Sequence, residues 1–173
     1  MTIREHKWEL AGLTFAYVGD GGNNMAHSYL LGGALAGLHV RIGTPAAYQP
    51  KPEILARAQQ LAAEQGGSIT LTDDPIAAVT GADVVATDTW VSMGQEEELS
   101  TRKGSGSPFT KYAVTTELMA HAHADAIFLH CLPAYRGFEV DADVIDGPQS
   151  VVWDEAENQI GRASCRERVS NCV

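Results

Sequence analysis

Basic residues are scarce in this chain: 12 Lys and Arg stand against 22 Asp and Glu, for a net charge of -10. A nucleic-acid partner needs a basic face that displaces counterions from phosphates, so that class is set aside. Cysteine is rarer still and odd in number, with only Cys131, Cys165 and Cys172 and no CxxC spacing. Neither a disulfide framework nor a zinc knuckle follows, and a reducing, cytoplasmic location is the simpler expectation. No apolar run approaches the roughly 20 residues of a membrane helix, and Met1 to Leu10 (MTIREHKWEL) is too charged for a signal-peptide core. No membrane partner is expected. His121 and His123 are the one close histidine pair, and two apart on a helix they do not face each other, so no metal is expected. What is present is ordinary for a globular protein. A 45% hydrophobic chain of 173 residues is too apolar for the disordered class and large enough to bury one core.

Strand and helix signals alternate along that length. Thr14–Val18 (TFAYV), His39–Ile42, Ser68–Leu71, Val84–Thr87 and Ala126–His130 read as strands, and Val151–Trp153 is the last strand signal. Between them, Asn23 or Asn24 starts a helix through Leu35, Ile54 to Ala62 keeps helical spacing, Asp74-Pro75 opens a third helix, and Thr116–His123 forms another. Such alternation predicts one α/β domain with a doubly wound, mostly parallel, Rossmann-like sheet and helices on both faces. Ligands in that architecture bind beyond the carboxyl ends of the strands.

Three strand ends carry unusual polar chemistry: GDGGNN (Gly19 to Asn24), DTWVSMG (Asp88 to Gly94) and HCLP (His130 to Pro133). The glycine-rich turn can present backbone N–H groups to an anion. As a dinucleotide fingerprint it is poor, because Asn24 holds the third glycine position and no acid closes the second strand. Asp88 can hold an ammonium, although an Asp after a strand is commonly a turn former. Cys131 alone would be a small buried hydrophobe and His130 a packed core residue, while Pro133 should hold Leu132 extended. The acidic run Asp154–Asn158 suits a helix N-terminus or a solvated face.

Taken together, GDGGNNMAHS, DTWVSMGQE, FLHCLPAYRG and VVWDEAEN resemble, in order, the signature segments of ornithine carbamoyltransferases, and TIREHK resembles the linker leaving that family's first domain. The resemblance covers Thr2 to Asn158. It implies the C-terminal, ornithine-binding domain over 1–159, followed by a tail, 160–173, whose IGRASCRERV looks foreign. It also implies transfer of a carbamoyl group from carbamoyl phosphate to the side-chain amine of L-ornithine, with no cofactor, in a homotrimer. Carried over by position, Asn24, Asp88, Ser92, Met93, Cys131 and Leu132 would bind substrate, with Asp88 and Cys131 catalytic and the Ser92–Pro108 loop closing over the ligand.

Two departures from the family pattern bear on activity. The Ser-Thr-Arg-Thr and His-Pro-x-Gln segments of the carbamoyl-phosphate domain do not occur in this sequence, and Gln159 stands where the family usually has Arg. The chain by itself is therefore expected to be inactive. The alternatives are a carbamoyltransferase for putrescine or acetylornithine, and a non-catalytic nucleotide-binding module.

Overall fold

The computed structural model describes residues 1–91, 97, 101, 102, 104 and 106–159. Ser92, Met93, most of the expected closing loop and the 160–173 tail lie outside the described residues.

Among the described residues five strands, β1 (Thr14–Val18), β2 (His39–Gly43), β3 (Ser68–Thr72), β4 (Val84–Thr87) and β5 (Ile127–His130), form one sheet in the order β3-β2-β1-β4-β5. Every pairing is parallel. The helices between them are α1 (Thr2–Lys7), α2 (Asn24–Leu35), α3 (Pro52–Gln65), α4 (Pro75–Val79), α5 (Thr116–Met119) and α6 (Ala142–Ile145). A last helix, α7, runs over 152–159. The chain passes from β1 to β2 and β3 on one side, then returns to β4 and β5 on the other. The switch point of this doubly wound sheet therefore lies between β1 and β4.

Local chemistry sets the helix ends. Asn23 caps α2 by accepting from the Ala26 N–H, Asp74 caps α4 and Thr115 caps α5. Pro52 and Pro75 stand in first turns, where no N–H is needed. Alternation along the strands then builds two cores. Phe15, Tyr17, Val40, Ile42, Ala86 and Leu129 pack under α2 and α3, while Ala16, Val18, Val85 and Phe128 pack under α4, α5 and α6.

Residues 151–153 differ from the strand expected there. Only Phe128 and Ser150 form an isolated bridge, and helix begins at Val152. Val151 enters one core and Val152 the other, and the acidic residues that follow favour the first turn of a helix over strand pairing. Helix α7 then packs against α1, with the His6 ring 2.7 Å from Asp154 and the Asn158 amide donating to Thr2 at 2.8 Å and Glu5 at 2.7 Å.

Candidate functional site

The turns after β1, β4 and β5 meet at the switch point, and their polar side chains form one connected network. Asp88, only 6% exposed, accepts three hydrogen bonds from the described residues. Its Oδ1 takes the Thr89 N–H at 2.7 Å and the Cys131 thiol at 3.2 Å, and its Oδ2 takes the Asn23 amide at 3.2 Å. Asn23 Nδ2 also donates to the Tyr17 hydroxyl at 2.9 Å, and that hydroxyl donates to the Asp20 carbonyl at 3.3 Å. The Thr87 hydroxyl ties β4 to β1 by donating to the Val18 carbonyl at 2.7 Å. Burial and then Asp88 push the Tyr17 phenol well above its ordinary pKa, so it stays a neutral donor.

Cys131 is half-buried. Burial first, and the Asp88 carboxylate second, push its thiol far above the usual range. At neutral pH the thiol is therefore a hydrogen-bond donor. Within this pair, Asp88 is the group able to accept a proton or hold a cation.

Arg102 braces the same region. Its guanidinium pairs with the Asp20 carboxylate, donates to the Trp90 carbonyl at 3.0 Å and lies 4.9 Å from the Tyr48 ring. One cation thus ties the turn after β1 to the turn after β4. The glycine-rich turn is consumed by its own folding: the Gly21 N–H donates to Thr44 Oγ1 at 3.0 Å and the Gly22 N–H to Asp20 Oδ1 at 2.9 Å. A Cβ at Gly21 would sit 2.9 Å from both the Thr44 methyl and the Tyr48 carbonyl. Close approach therefore explains this glycine, and two N–H groups that an anion would need are occupied beside a buried carboxylate.

Beneath Cys131, His130 is fully buried. Its Nδ1 accepts from the Leu132 N–H at 2.9 Å, which places its proton on Nε2, 3.5 Å from Glu139 Oε1. Glu139 Oε1 accepts from the Tyr135 N–H at 2.6 Å, and Glu155 from the His130 N–H at 3.0 Å. Leu132 is not extended as expected. Its φ is 56° and the Leu132–Pro133 peptide is cis. The bond from its own N–H back to the His130 ring closes a tight turn, which offsets the ~1–2 kcal/mol that a left-handed non-glycine residue costs.

The expected residues are thus partly brought together. Asp88 and Cys131 touch, Leu132 follows in the turn, and Asn24 stands exposed on the rim as the first residue of α2. Asn23, Tyr17, Asp20 and Arg102 belong to the network and were not singled out from the sequence. The Asn-Asn doublet was the one signal available, but it could not say which amide turns inward. Asp88, His130 and Cys131 bring a carboxylate oxygen, a ring nitrogen and a sulfur within 4.8 Å of one another. The thiol and the His130 Nδ1 are already engaged in hydrogen bonds, and we read the group as a hydrogen-bonded cluster. An apolar hollow of about 180 Å³ lies elsewhere, lined by Met1, Ile3, Phe15, Tyr29, Gly32 and Leu38 among others. No comparable set of converging polar groups stands there.

A doubly wound parallel sheet whose polar turns converge on a carboxylate–thiol pair defines an α/β domain of the Rossmann-like class. Residues 11–163 match the family model described as aspartate/ornithine carbamoyltransferase, Asp/Orn binding domain. The chain belongs to that family. It is 62% identical over 160 residues to the ornithine carbamoyltransferase of Clavibacter sepedonicus, and 59% identical to that of Renibacterium salmoninarum. These matches cover 92% of this chain and 51% and 50% of the relatives. Among solved structures, the ornithine carbamoyltransferase from Pyrococcus furiosus superposes with a TM-score of 0.84 at 49% identity, over 91% of this chain and 49% of that one. The chain spans about half the length of the relatives it matches.

Proposed function

We propose that this chain is the ornithine-binding half of an ornithine carbamoyltransferase. The full-length reaction joins the side-chain nitrogen of L-ornithine to the carbonyl carbon of carbamoyl phosphate. The carbon–oxygen bond to phosphate breaks, and L-citrulline, phosphate and the proton from the amine are the products. The observation that carries this reading is the buried Asp88 carboxylate, hydrogen-bonded to the Cys131 thiol, at the switch point of a domain from this family.

Each group has a task. An alkyl amine has a pKa of about 10.4, so on the order of one in a thousand is free at neutral pH. Asp88 receives the ammonium and holds it in place. Cys131 and Leu132 stand at the reacting end, where the thiol, through its hydrogen bond to Asp88, helps fix the carboxylate that orients the amine. Asn24 on the rim, with Ser92 and Met93, takes the α-amino-acid end. The ornithine-binding unit is 1–159, with 160–173 a tail. The Ser-Thr-Arg-Thr and His-Pro-x-Gln segments that serve carbamoyl phosphate in this family do not occur in this sequence, so the chain alone does not turn over. The full-length form is a homotrimer, in the cytoplasm, serving arginine biosynthesis. No helix among the described residues is long and apolar enough to cross a membrane.

Calorimetric titration tests this reading. L-ornithine should bind at least about tenfold more tightly than putrescine, which lacks the α-amino-acid end, or acetylornithine, which blocks it. NAD should give no heat. Tighter binding of putrescine or acetylornithine would move the assignment to that substrate, and citrulline formation by the chain alone would contradict the incomplete site.

A further inference from the structure

The function proposed above assigns no role to Asn23. We propose that Asn23 is the positioning residue for Asp88, setting which carboxylate oxygen faces an incoming ammonium; this rests on the ornithine reading of the site. Asn23 is 6% exposed, and both ends of its amide are engaged. Oδ1 accepts from the Ala26 N–H at 2.7 Å, and only an oxygen can do that. The nitrogen must therefore face the other way, with one hydrogen on the Tyr17 hydroxyl at 2.9 Å and the second on Asp88 Oδ2 at 3.2 Å. The orientation of the amide follows from the network and involves no choice.

The effect on Asp88 follows from counting acceptor positions. Among the described residues, Oδ1 is filled by the Thr89 N–H and the Cys131 thiol, while Oδ2 holds only Asn23. Among the described residues Oδ2 therefore keeps one acceptor position open, and Asn23 fixes its direction. The first turn of α2 fixes Asn23 in turn, so the helix N-terminus and the ammonium-binding carboxylate form one rigid unit. Asn23 touches no substrate in this arrangement and acts through Asp88.

Capping and aiming are separated by Asn23→Ser, because serine caps a helix well but cannot reach Asp88 as an amide does. L-norvaline, which has the ornithine skeleton without the terminal amine, reports the α-amino-acid end alone. In calorimetry on the full 173-residue chain, Asn23→Ser should weaken ornithine about tenfold and leave norvaline within about twofold. Asn23→Ala should show the same ornithine-to-norvaline change, with an added fall in melting temperature from the lost cap. Equal loss for both ligands, or no loss for either, would reduce Asn23 to a helix cap and overturn the proposal.

A ligand-free measurement keeps the two readings distinct. In 1H–15N spectra of the wild-type chain, the Asn23 side-chain amide should exchange slowly with solvent and shift in Asp88→Ala. If the wild-type chain binds neither amino acid, the ornithine reading fails for this chain. A protected amide that answers to Asp88 would still support the positioning, and a freely exchanging one would overturn it.

Discussion

Strands β1, β4 and β5 and strands β2 and β3 belong to one parallel sheet in continuous register, yet their carboxyl ends are used differently. After β1, β4 and β5 the chain turns into a buried network joining Tyr17, Asn23, Asp88 and Cys131. After β2 and β3 the polar groups serve the fold. Thr44 accepts from Gly21, Asp74 caps α4, and the Asp73 carbonyl takes Lys111 and Tyr112 at 2.7 Å each. Strand β3 is a partly exposed edge, whereas all four residues of β4 and of β5 are buried. Neighbouring strands connected in opposite directions leave a crevice between β1 and β4, and a carboxylate can be buried there without being sealed from a ligand.

Substitution in the core should separate the two halves of the sheet by the largest effect. Phe128→Ala in β5 should cost about 3–5 kcal/mol in urea unfolding, against about 1 kcal/mol for Ile69→Ala in half-buried β3. Similar losses at both would contradict the difference in packing. At the strand ends, Asp88→Ala should weaken ornithine about a hundredfold, roughly 3 kcal/mol, with circular dichroism unchanged. Asp73→Ala, beyond β3, should leave that affinity within about twofold. A large effect at Asp73 would place the site on the wrong side of the sheet.

At the β5 end, Cys131 adds a dependence on pH. Burial and Asp88 raise its pKa in the folded chain, so the folded form keeps its proton after an unfolded thiol, near ~8.5, has lost it. This contribution to stability is complete below that value and is lost as pH rises above it. Alkylation of Cys131 at pH 8, followed by peptide mapping, should run at least about tenfold slower than in urea, and Asp88→Asn should accelerate it. A rate equal to that of the unfolded chain would mean that the thiol is neither buried nor held by Asp88. The smallest effect is expected at the β3 end, where Asp74→Ala removes a cap worth about 1 kcal/mol of stability and should not alter ornithine affinity.

Most of the scaffold was legible because its signals are local. The β-rich runs at Thr14–Val18 and Val84–Thr87 emerge with the expected bounds, and the caps and prolines mark where the helices start. Val151–Trp153 misled because β-branched residues suit a strand by propensity, while the two separate cores that receive Val151 and Val152 are a tertiary fact. Asp88 and Cys131 were expected from the resemblance alone, and the fold shows that they are in contact. Asn23 was not separable from Asn24, since adjacent amides differ only in which has the extended cap geometry (φ -80°, ψ 168° at Asn23). Tyr17 read as an ordinary strand residue because its hydroxyl meets Asn23 only after the turn has folded back. Glu139 was hidden for the same reason, since its contact with His130 depends on the turn at Leu132.

On the proposed reading, ligand chemistry is confined to the β1, β4 and β5 ends. An ornithine titration followed residue by residue in 1H–15N spectra of the whole chain tests it most directly. The amides of Gly19 to Asn24, Asp88 to Val91, Cys131 and Leu132 should move together with one affinity, while those of Thr44 and Thr72 to Asp74 stay still. Shifts centred on the β2 and β3 ends, or on the apolar hollow beside α1 and α2, would contradict that claim.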